Sequence, residues 1–436
     1  MTNEQIKKHI IWFAYYDLFK SYATLRKVRK DPRFWIEVQN RNIKKFVEYV
    51  YTIPFYKKRF DKCGLTPMDI TLRKDFLKLP PLTKSEYREW ILEETQDKSK
   101  FSGWMYRQTT GSSGTPLDLY SLPTDRAAEI ANLMRCAMFQ EKGHNPIWGR
   151  VFSTMTPKPP VKKKFSFCYD CKMSSIAPPE ELVQGYNNAR PDFYYGNKTA
   201  VLMIAQYAIE NNIKLHKPKC VGSISELLDE NARLLCNRAY GDDVVFDIYG
   251  CAETGNFAVD RPSEPGKHTI WNDTHVVNLY NPNAQDENVY RGELMITSLI
   301  HKGFPLINYL VGDTIDLTIE NDVPYITRIV GRTNDVIKNV DGTSFKWMHV
   351  NRIMFGITEI SQFRVVQKSL TELYFILASA KIENSRKSEV ENIIRARAMD
   401  IFGTDMKKTA KNIHFNWCST ISPDPTGKVR ILVSEV

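Results

Sequence analysis

The stretch Thr109-Thr-Gly-Ser-Ser-Gly-Thr-Pro-Leu117 limits what this chain can become. Five hydroxyl side chains and two glycines sit together with no charge among them. Glycine lets a backbone turn where a Cβ would clash, so N–H groups can converge on one point. Hydroxyls add donors, and a cup of donors without carboxylates suits an anion such as phosphate. Gly103 to Gln108 leads into the stretch, and Leu117-Asp-Leu-Tyr120 alternates after it like a strand. The pattern predicts a phosphate loop between two strands. No Gly-Lys-Ser/Thr closes it, so it is not a Walker loop.

The surrounding 436 residues are long enough for two or three domains. No apolar run approaches the roughly 20 residues of a membrane span. Ile10 to Tyr16 is cut short by Asp17 and has no small-residue cleavage site, so a cytoplasmic protein is the default. A net charge of +10 favours anionic ligands. Helix-turn-helix, RNA-recognition and zinc-finger patterns are missing, and no nucleic-acid partner is expected. Cys168-Tyr-Asp-Cys171 has no second pair at zinc-site spacing, which argues against a metal there.

Residues 1 to about 60 read as helices. Ile11, Ala14, Tyr15, Leu18, Tyr22 and Leu25 share one face, with Lys and Arg elsewhere. The expected role of that first helix is packing on its own domain, with a solvated basic face rather than membrane contact. Thr83 should cap a helix from Lys84 to Glu93, and Asp125 to Lys142 reads as another. Pro157 to Lys164 reads as a Pro-rich basic loop, a docking site if a phosphorylated carrier is used. From Pro179 to Ile248 helices alternate with strands: Lys219 to Gly222, a helix from Ser225 to Arg238, then Val244 to Ile248. Such alternation predicts a mainly parallel sheet with ligands at the carboxyl ends of its strands.

Asp247-Ile-Tyr-Gly-Cys-Ala-Glu-Thr-Gly255 follows that last strand. Glu253 is placed to hold a Mg²⁺ that bridges phosphate oxygens, and Tyr249 offers a face for a purine. Gly312-Asp313 lies between β-rich segments, and an Asp there can accept from two ribose hydroxyls. Gly331-Arg332 supplies a turn and a cation able to reach ribose or phosphate. Beyond it, strands and helices from Phe345 to Asn416 outline a small α+β domain. Near its end Lys428 sits on a tight Thr-Gly-Lys turn.

In this order the Thr/Ser/Gly loop, Tyr-Gly-x-x-Glu, Tyr-x-x-Gly-Asp, Gly-Arg-x-x-Asp and a late Gly-Lys resemble the motifs of the adenylate-forming superfamily. Ile53-Pro-Phe-Tyr56, Leu79-Pro-Pro-Leu-Thr-Lys84 and Asn339-Val-Asp-Gly342 look like its phenylacetate–CoA ligase branch, specifically the CapK and coenzyme F390 synthetase-like members. The resemblance implies an α/β fold. A large N-terminal ATP- and acyl-binding domain over 1–331, with mixed β-sheets and a helical leader over 1–95, would be joined to a small mobile α+β lid over 332–436 carrying Lys428. It also implies roles. Thr109, Thr110, Gly111, Ser112, Ser113, Gly114 and Thr115 would cradle the ATP phosphates. Ser225, Glu226, Tyr249 and Gly250 would border adenine, Asp313 would hold ribose, and Arg332 ribose or phosphate. Glu253 would hold Mg²⁺, and Lys428 would act on the α-phosphate. Asn334 falls at the hinge.

Four departures stand out. Leu117 replaces a loop lysine, Asn308 replaces the arginine before the ribose-motif tyrosine, and Asn334 replaces a charged hinge residue. No Cys-rich metal stretch is recognisable around Asp260 to His268. The implied activity is ATP-dependent activation of a carboxylic acid as acyl-AMP with release of pyrophosphate. The acyl group would then pass to an amine or thiol acceptor, in capsule or surface-polysaccharide biosynthesis. The alternatives are an acyl- or aryl-CoA ligase using coenzyme A, and an adenylyltransferase that keeps AMP in the product. The acyl pocket would be bordered by Ala131 to Pro157 and Met173 to Tyr195.

Overall fold

The computed structural model describes residues 3–109, 116–141, 149–156, 161–165, 168–332, 336–340, 342–357, 359–379, 382–402, 412–424 and 429–436. The chain divides into two compact units. One comprises residues 1–145 and 248–329, the other 146–247 and 330–436. The division between Asp247 and Ile248 falls inside the strand Val245–Cys251.

The first unit begins with the helices Asn3–Val28, Phe34–Val50, Pro54–Lys62 and Lys84–Glu94. Thr83 caps the last of these reciprocally. Its hydroxyl accepts the Glu86 amide, and the Glu86 carboxylate accepts the Thr83 amide at 2.9 Å. The strands Met105–Gln108 and Asp118–Ser121 then pair antiparallel, Met105 opposite Ser121 and Gln108 opposite Asp118. The uncharged stretch is therefore the connection of a hairpin, as the flanking patterns predict. The strands from Gly255 to Ile329 pair antiparallel with their neighbours. Beneath them lies an aromatic core in which Phe55 stacks on Trp90 at 4.3 Å and Phe304 meets Trp90 edge-on at 5.0 Å.

Asn308 explains how the leader is fixed to this core. It adopts a left-handed φ of 52° and donates its side-chain amide to the carbonyls of Phe76 and Leu79. The Leu82 amide donates to the Asn308 carbonyl, and the Leu310 amide donates to Leu82. Leu79 to Lys84 is thereby stitched beside Tyr309. Asparagine tolerates this backbone region better than arginine would, which accounts for one departure from the family pattern.

In the second unit Cys220–Ile224, Phe193–Asn197, Arg150–Thr156 and Cys168–Ser174 are parallel neighbours. Val161–Phe165 closes the edge antiparallel. Part of the expected basic loop is thus a strand, while residues 157–160 lie outside the described residues. The helices Pro179–Ala189, Lys198–Glu210 and Glu230–Tyr240 bury one face each in a core with Phe152, Tyr194 and Val221. A second core, around Ile337, Val365, Phe375 and Ile394, belongs wholly to residues beyond 336. There the sheet order is Ile413–Cys418, Glu372–Ala378, Gln362–Ser369, Leu432–Ser434, covered by the helices Trp347–Met354 and Asn384–Phe402. No helix among the described residues is long and apolar enough to cross a membrane.

Candidate active site

Two segments of the first unit, each holding two of the relevant side chains four residues apart, face one another. The strand Val245–Cys251 runs on through Tyr249 and Gly250, two residues the sequence places after the strand. Glu253 lies in the turn that follows. Across from them is Leu306–Glu320, a single strand of 15 residues. Gly312-Asp313, expected between two strands, is an irregularity within it. Gly312 has φ of 86°, and the pairing with Val289–Ser298 shifts register there.

The contacts are specific. The Tyr249 hydroxyl donates to Asp313 Oδ2 at 2.7 Å. Four residues earlier on the same strand, the Tyr309 hydroxyl donates to Glu253 Oε1 at 3.1 Å. Lys84, delivered by the stitched leader, lies 3.9 Å from the same Glu253 oxygen. Burial, then the Glu253 carboxylate, pushes the Tyr309 phenol far above its ordinary range, so it stays a donor at neutral pH. Lys84 and Tyr309 fall within the motifs, but the motifs alone imply no role for either. The signal that could have found them is their position beside the capping Thr83 and beside the unusual Asn308.

Gly250 is required by close approach, since a Cβ there would lie 2.6 Å from the Gly255 carbonyl and 2.8 Å from Asn256 Cα. Gly255 closes the turn with φ of 73° above the Glu129 side chain. Glu129 is fully buried and takes Arg107, Arg126 and His301 as partners. Burial pushes its carboxyl up, but the His301 hydrogen bond and the two guanidinium groups outweigh that and hold it well below the carboxylate range. Thr109 anchors the hairpin connection: its hydroxyl accepts the Leu117 amide at 2.8 Å, and its amide donates to the Leu117 carbonyl at 2.9 Å. Thr110, Gly111, Ser112, Ser113, Gly114 and Thr115 lie outside the described residues.

Cysteine chemistry is not favoured here. Burial, and then the nearby Glu253, pushes the Cys251 thiol far up. Cys171 is a buried free thiol. Among the described residues no cluster of three or more His, Cys, Asp or Glu forms a metal cage.

In the second unit Ser225 has φ of 74° and precedes the helix Glu230–Tyr240. That helix starts later than expected because Asp229 accepts the Ala232 amide as its cap. Glu226 Oε1 accepts the Thr199 hydroxyl at 2.8 Å and the Val429 amide at 3.2 Å, and its Oε2 accepts the Thr199 amide at 3.1 Å. Beside it Lys198 and Asp229 form a buried pair at 3.1 Å. Burial pushes the Lys198 ammonium down, but Asp229 and Glu226 more than offset it. Arg332 is exposed at the end of the strand Val323–Arg332. Asn334 and Lys428 lie outside the described residues, although Val429, which follows Lys428, does not.

Comparison with known proteins gives three findings. Protein CapK of Staphylococcus aureus is 24% identical over 437 aligned residues, covering 95% of this chain and 92% of that protein. A 2-hydroxyisobutyryl-CoA ligase in the postadenylation state, in complex with 2-HIB-AMP, superposes with a TM-score of 0.70 at 16% identity, covering 92% of this chain and 89% of the ligase. The amide bond synthetase McbA of Marinactinospora thermotolerans superposes with a TM-score of 0.50 at 14% identity over 74% of this chain and 67% of its own. No family model matches the chain. The chain has the fold of the adenylate-forming ligases, and over nearly its whole length it is similar in sequence to Protein CapK.

Proposed function

We propose that this protein is an AMP-forming ligase that activates a carboxylic acid with ATP and passes the acyl group to an amine or thiol. The observation that carries the reading is the double pairing of Tyr249 with Asp313 and of Glu253 with Tyr309. It supports a nucleotide site in which a ribose acceptor, an aromatic face and a strand-end carboxylate are fixed to one another.

In this reading Thr109 to Thr115 orient the β- and γ-phosphates, Ser225, Glu226, Tyr249 and Gly250 border adenine, and Asp313 accepts from the ribose with Arg332 nearby. Residues 332–436 act as a lid carrying Lys428, with Asn334 at the hinge. The separate apolar core beyond residue 336 supports that division. A Mg²⁺ fits Glu253, because this ion is usually held by one or two carboxylates together with substrate phosphates rather than by a protein cage. Bound there, it would neutralise phosphate charge. A carboxylate oxygen of the acid attacks the α-phosphorus, the bond to the bridging oxygen of pyrophosphate breaks, and acyl-AMP forms. The Lys428 ammonium stabilises charge that gathers at the α-phosphate in the transition state. The amine or thiol then attacks the acyl carbon, and AMP leaves.

The similarity to Protein CapK supports a place in surface-polysaccharide assembly on the cytoplasmic side, where ATP is available. The fold it shares with a 2-hydroxyisobutyryl-CoA ligase supports the second reading, in which coenzyme A is the acceptor. The test is carboxylate-dependent exchange of labelled pyrophosphate into ATP across a panel of acids, followed by addition of amines or coenzyme A. Lys428→Ala should abolish exchange and leave ATP affinity within a few-fold, since the lysine acts in the transition state. Exchange with no acid dependence, or full exchange by the variant, would overturn the assignment.

A further inference from the structure

The helix Asn3–Val28 has two unlike faces. Ile10, Ala14, Leu18, Ser21, Leu25 and Val28 are buried, and the helix packs against Pro123–Phe139, with Ala14 in a cluster with Ala127. Arg29 locks the end by donating to the Met138 carbonyl at 2.7 Å. This is the intramolecular packing expected from the sequence. The opposite face is not a solvated polar one. Trp12 is 75% exposed, Phe19 72% and Tyr16 59%, with Tyr22 and Phe13 exposed at the flanks. At about 100° per residue, Trp12, Tyr16 and Phe19 fall within an arc of about 60°. Further along the same face come Ala23, Arg26 and Lys27, and Lys30 follows in the turn just after the helix, all exposed.

Large aromatic side chains in such a row are costly to leave in water and mark an interaction surface. The charge around them selects the occupant. From Ile10 to Lys30 the only acid is Asp17, and it is half-buried, its charge felt by Lys20, Arg135 and Lys302. Lys20 lies 4.1 Å above the Tyr16 ring, in the manner of a lysine whose stem lies along an apolar surface while its ammonium reaches outward. A second copy of the chain packed face to face would bring four cations against four. A negatively charged lipid surface would accept both the rings and the cations.

We propose that this helix face docks the protein peripherally on an anionic membrane surface, with Trp12, Tyr16 and Phe19 at headgroup depth and Lys20, Arg26, Lys27 and Lys30 against the lipid charge. The helix is too polar to span, so binding is reversible and weakens with salt. The face does not include any residue assigned to the nucleotide site, and the inference stands whether or not the ligase reading holds.

The full-length protein should co-sediment with phosphatidylcholine vesicles containing phosphatidylglycerol, and bind vesicles of phosphatidylcholine alone much more weakly. Each basic residue near an anionic surface is worth about fivefold in affinity, so R26Q/K27Q/K30Q should bind about a hundredfold less tightly. W12S/F19S should lose a similar factor. Both variants should melt as the parent does, because the side chains removed are exposed. Failure of the parent protein to sediment with anionic vesicles, or undiminished binding by W12S/F19S, would overturn the proposal. A parent dimer that W12S/F19S makes monomeric, without vesicle binding, would assign the face to a second copy and overturn it equally.

Discussion

Tyr249 and Asp313 are joined by a 2.7 Å hydrogen bond from phenol to carboxylate, and this contact fixes the distance between two motifs separated by 64 positions in the chain. Its consequence reaches beyond the pair. Tyr309, four residues before Asp313, holds Glu253, four residues after Tyr249. Shifting the register of the strand Leu306–Glu320 by one residue would turn both Tyr309 and Asp313 away together. The site is therefore set by strand pairing rather than by the turn alone.

Asp313→Asn keeps the shape of the side chain and removes its charge. A hydrogen bond to a charged group is worth about 1.5–3 kcal/mol, so the KM for ATP in pyrophosphate exchange should rise about tenfold to a hundredfold, with kcat changed only a few-fold. Tyr249→Phe keeps the aromatic face and loses only the hydroxyl, and should cost less than Asp313→Asn. An unchanged KM in Asp313→Asn would remove this residue from the ribose site.

His275 gives the fold a pH signature. Its ring is fully buried between the Thr274 hydroxyl at 3.0 Å and the Thr254 carbonyl at 3.1 Å. Burial, then the neighbouring His301, pushes its pKa down to about 3. The unfolded chain takes up this proton below about pH 6.5 and the folded chain does not. Stability is complete above pH 6.5 and falls as the pH drops towards 3. This residue alone should remove about 2 kcal/mol between pH 6.5 and pH 5. Urea titrations at the two pH values should show that loss in the parent protein and lack it in His275→Gln, whatever the variant's starting stability. Equal pH slopes in both would show that His275 is not held neutral.

How far the sequence reveals this arrangement depends on the range of the interactions involved. Elements governed by local rules agree closely: the strand expected from Val244 starts at Val245, and Lys84–Glu94 starts where Thr83 can cap it. The hairpin flanking the uncharged stretch is equally plain. What escaped depends on distant partners. Asn308 in a left-handed conformation is intelligible only once the carbonyls of Phe76 and Leu79 lie beside it. The strand Leu306–Glu320 passes through Gly312 because a neighbouring strand continues the pairing on both sides of the irregularity. Apolar periodicity puts Tyr22 on the buried face of the first helix, yet it is 47% exposed, since the partner helix covers a narrower arc than the periodicity suggests.

Glu129 tests whether the turn carrying Glu253 is supported from below. Its carboxylate is 2.9 Å from His301 Nε2 and accepts from Arg107 at 2.6 Å, and its side chain lies under Gly255. Glu129→Gln leaves two guanidinium groups facing a neutral amide and should destabilise the protein by about 3–5 kcal/mol, the usual cost of breaking a buried ion pair. Because the folded carboxyl is held low, its contribution is present above pH 4.5 and is lost as the pH falls through the folded value. The difference in stability between parent and variant should therefore shrink on acidification below pH 4.5. A thermal melt at pH 7 indistinguishable from the parent would show that the cluster is not a support.

Glu226 offers a separation of roles that steady-state kinetics can resolve. The family resemblance assigns it to the adenine side, where its loss would raise the KM for ATP. The structure gives its oxygens three donors already, the Thr199 hydroxyl and amide and the amide of Val429. Val429 follows Lys428, so the carboxylate ties the segment next to that lysine to the helix Lys198–Glu210. Glu226→Ala should then lower kcat for pyrophosphate exchange by about tenfold, the worth of one hydrogen bond to a charged group, with little change in KM. Thr199→Val keeps the helix and removes only the hydroxyl, and should produce a smaller effect of the same kind. A rise in KM for ATP with kcat intact would return Glu226 to the adenine pocket alone.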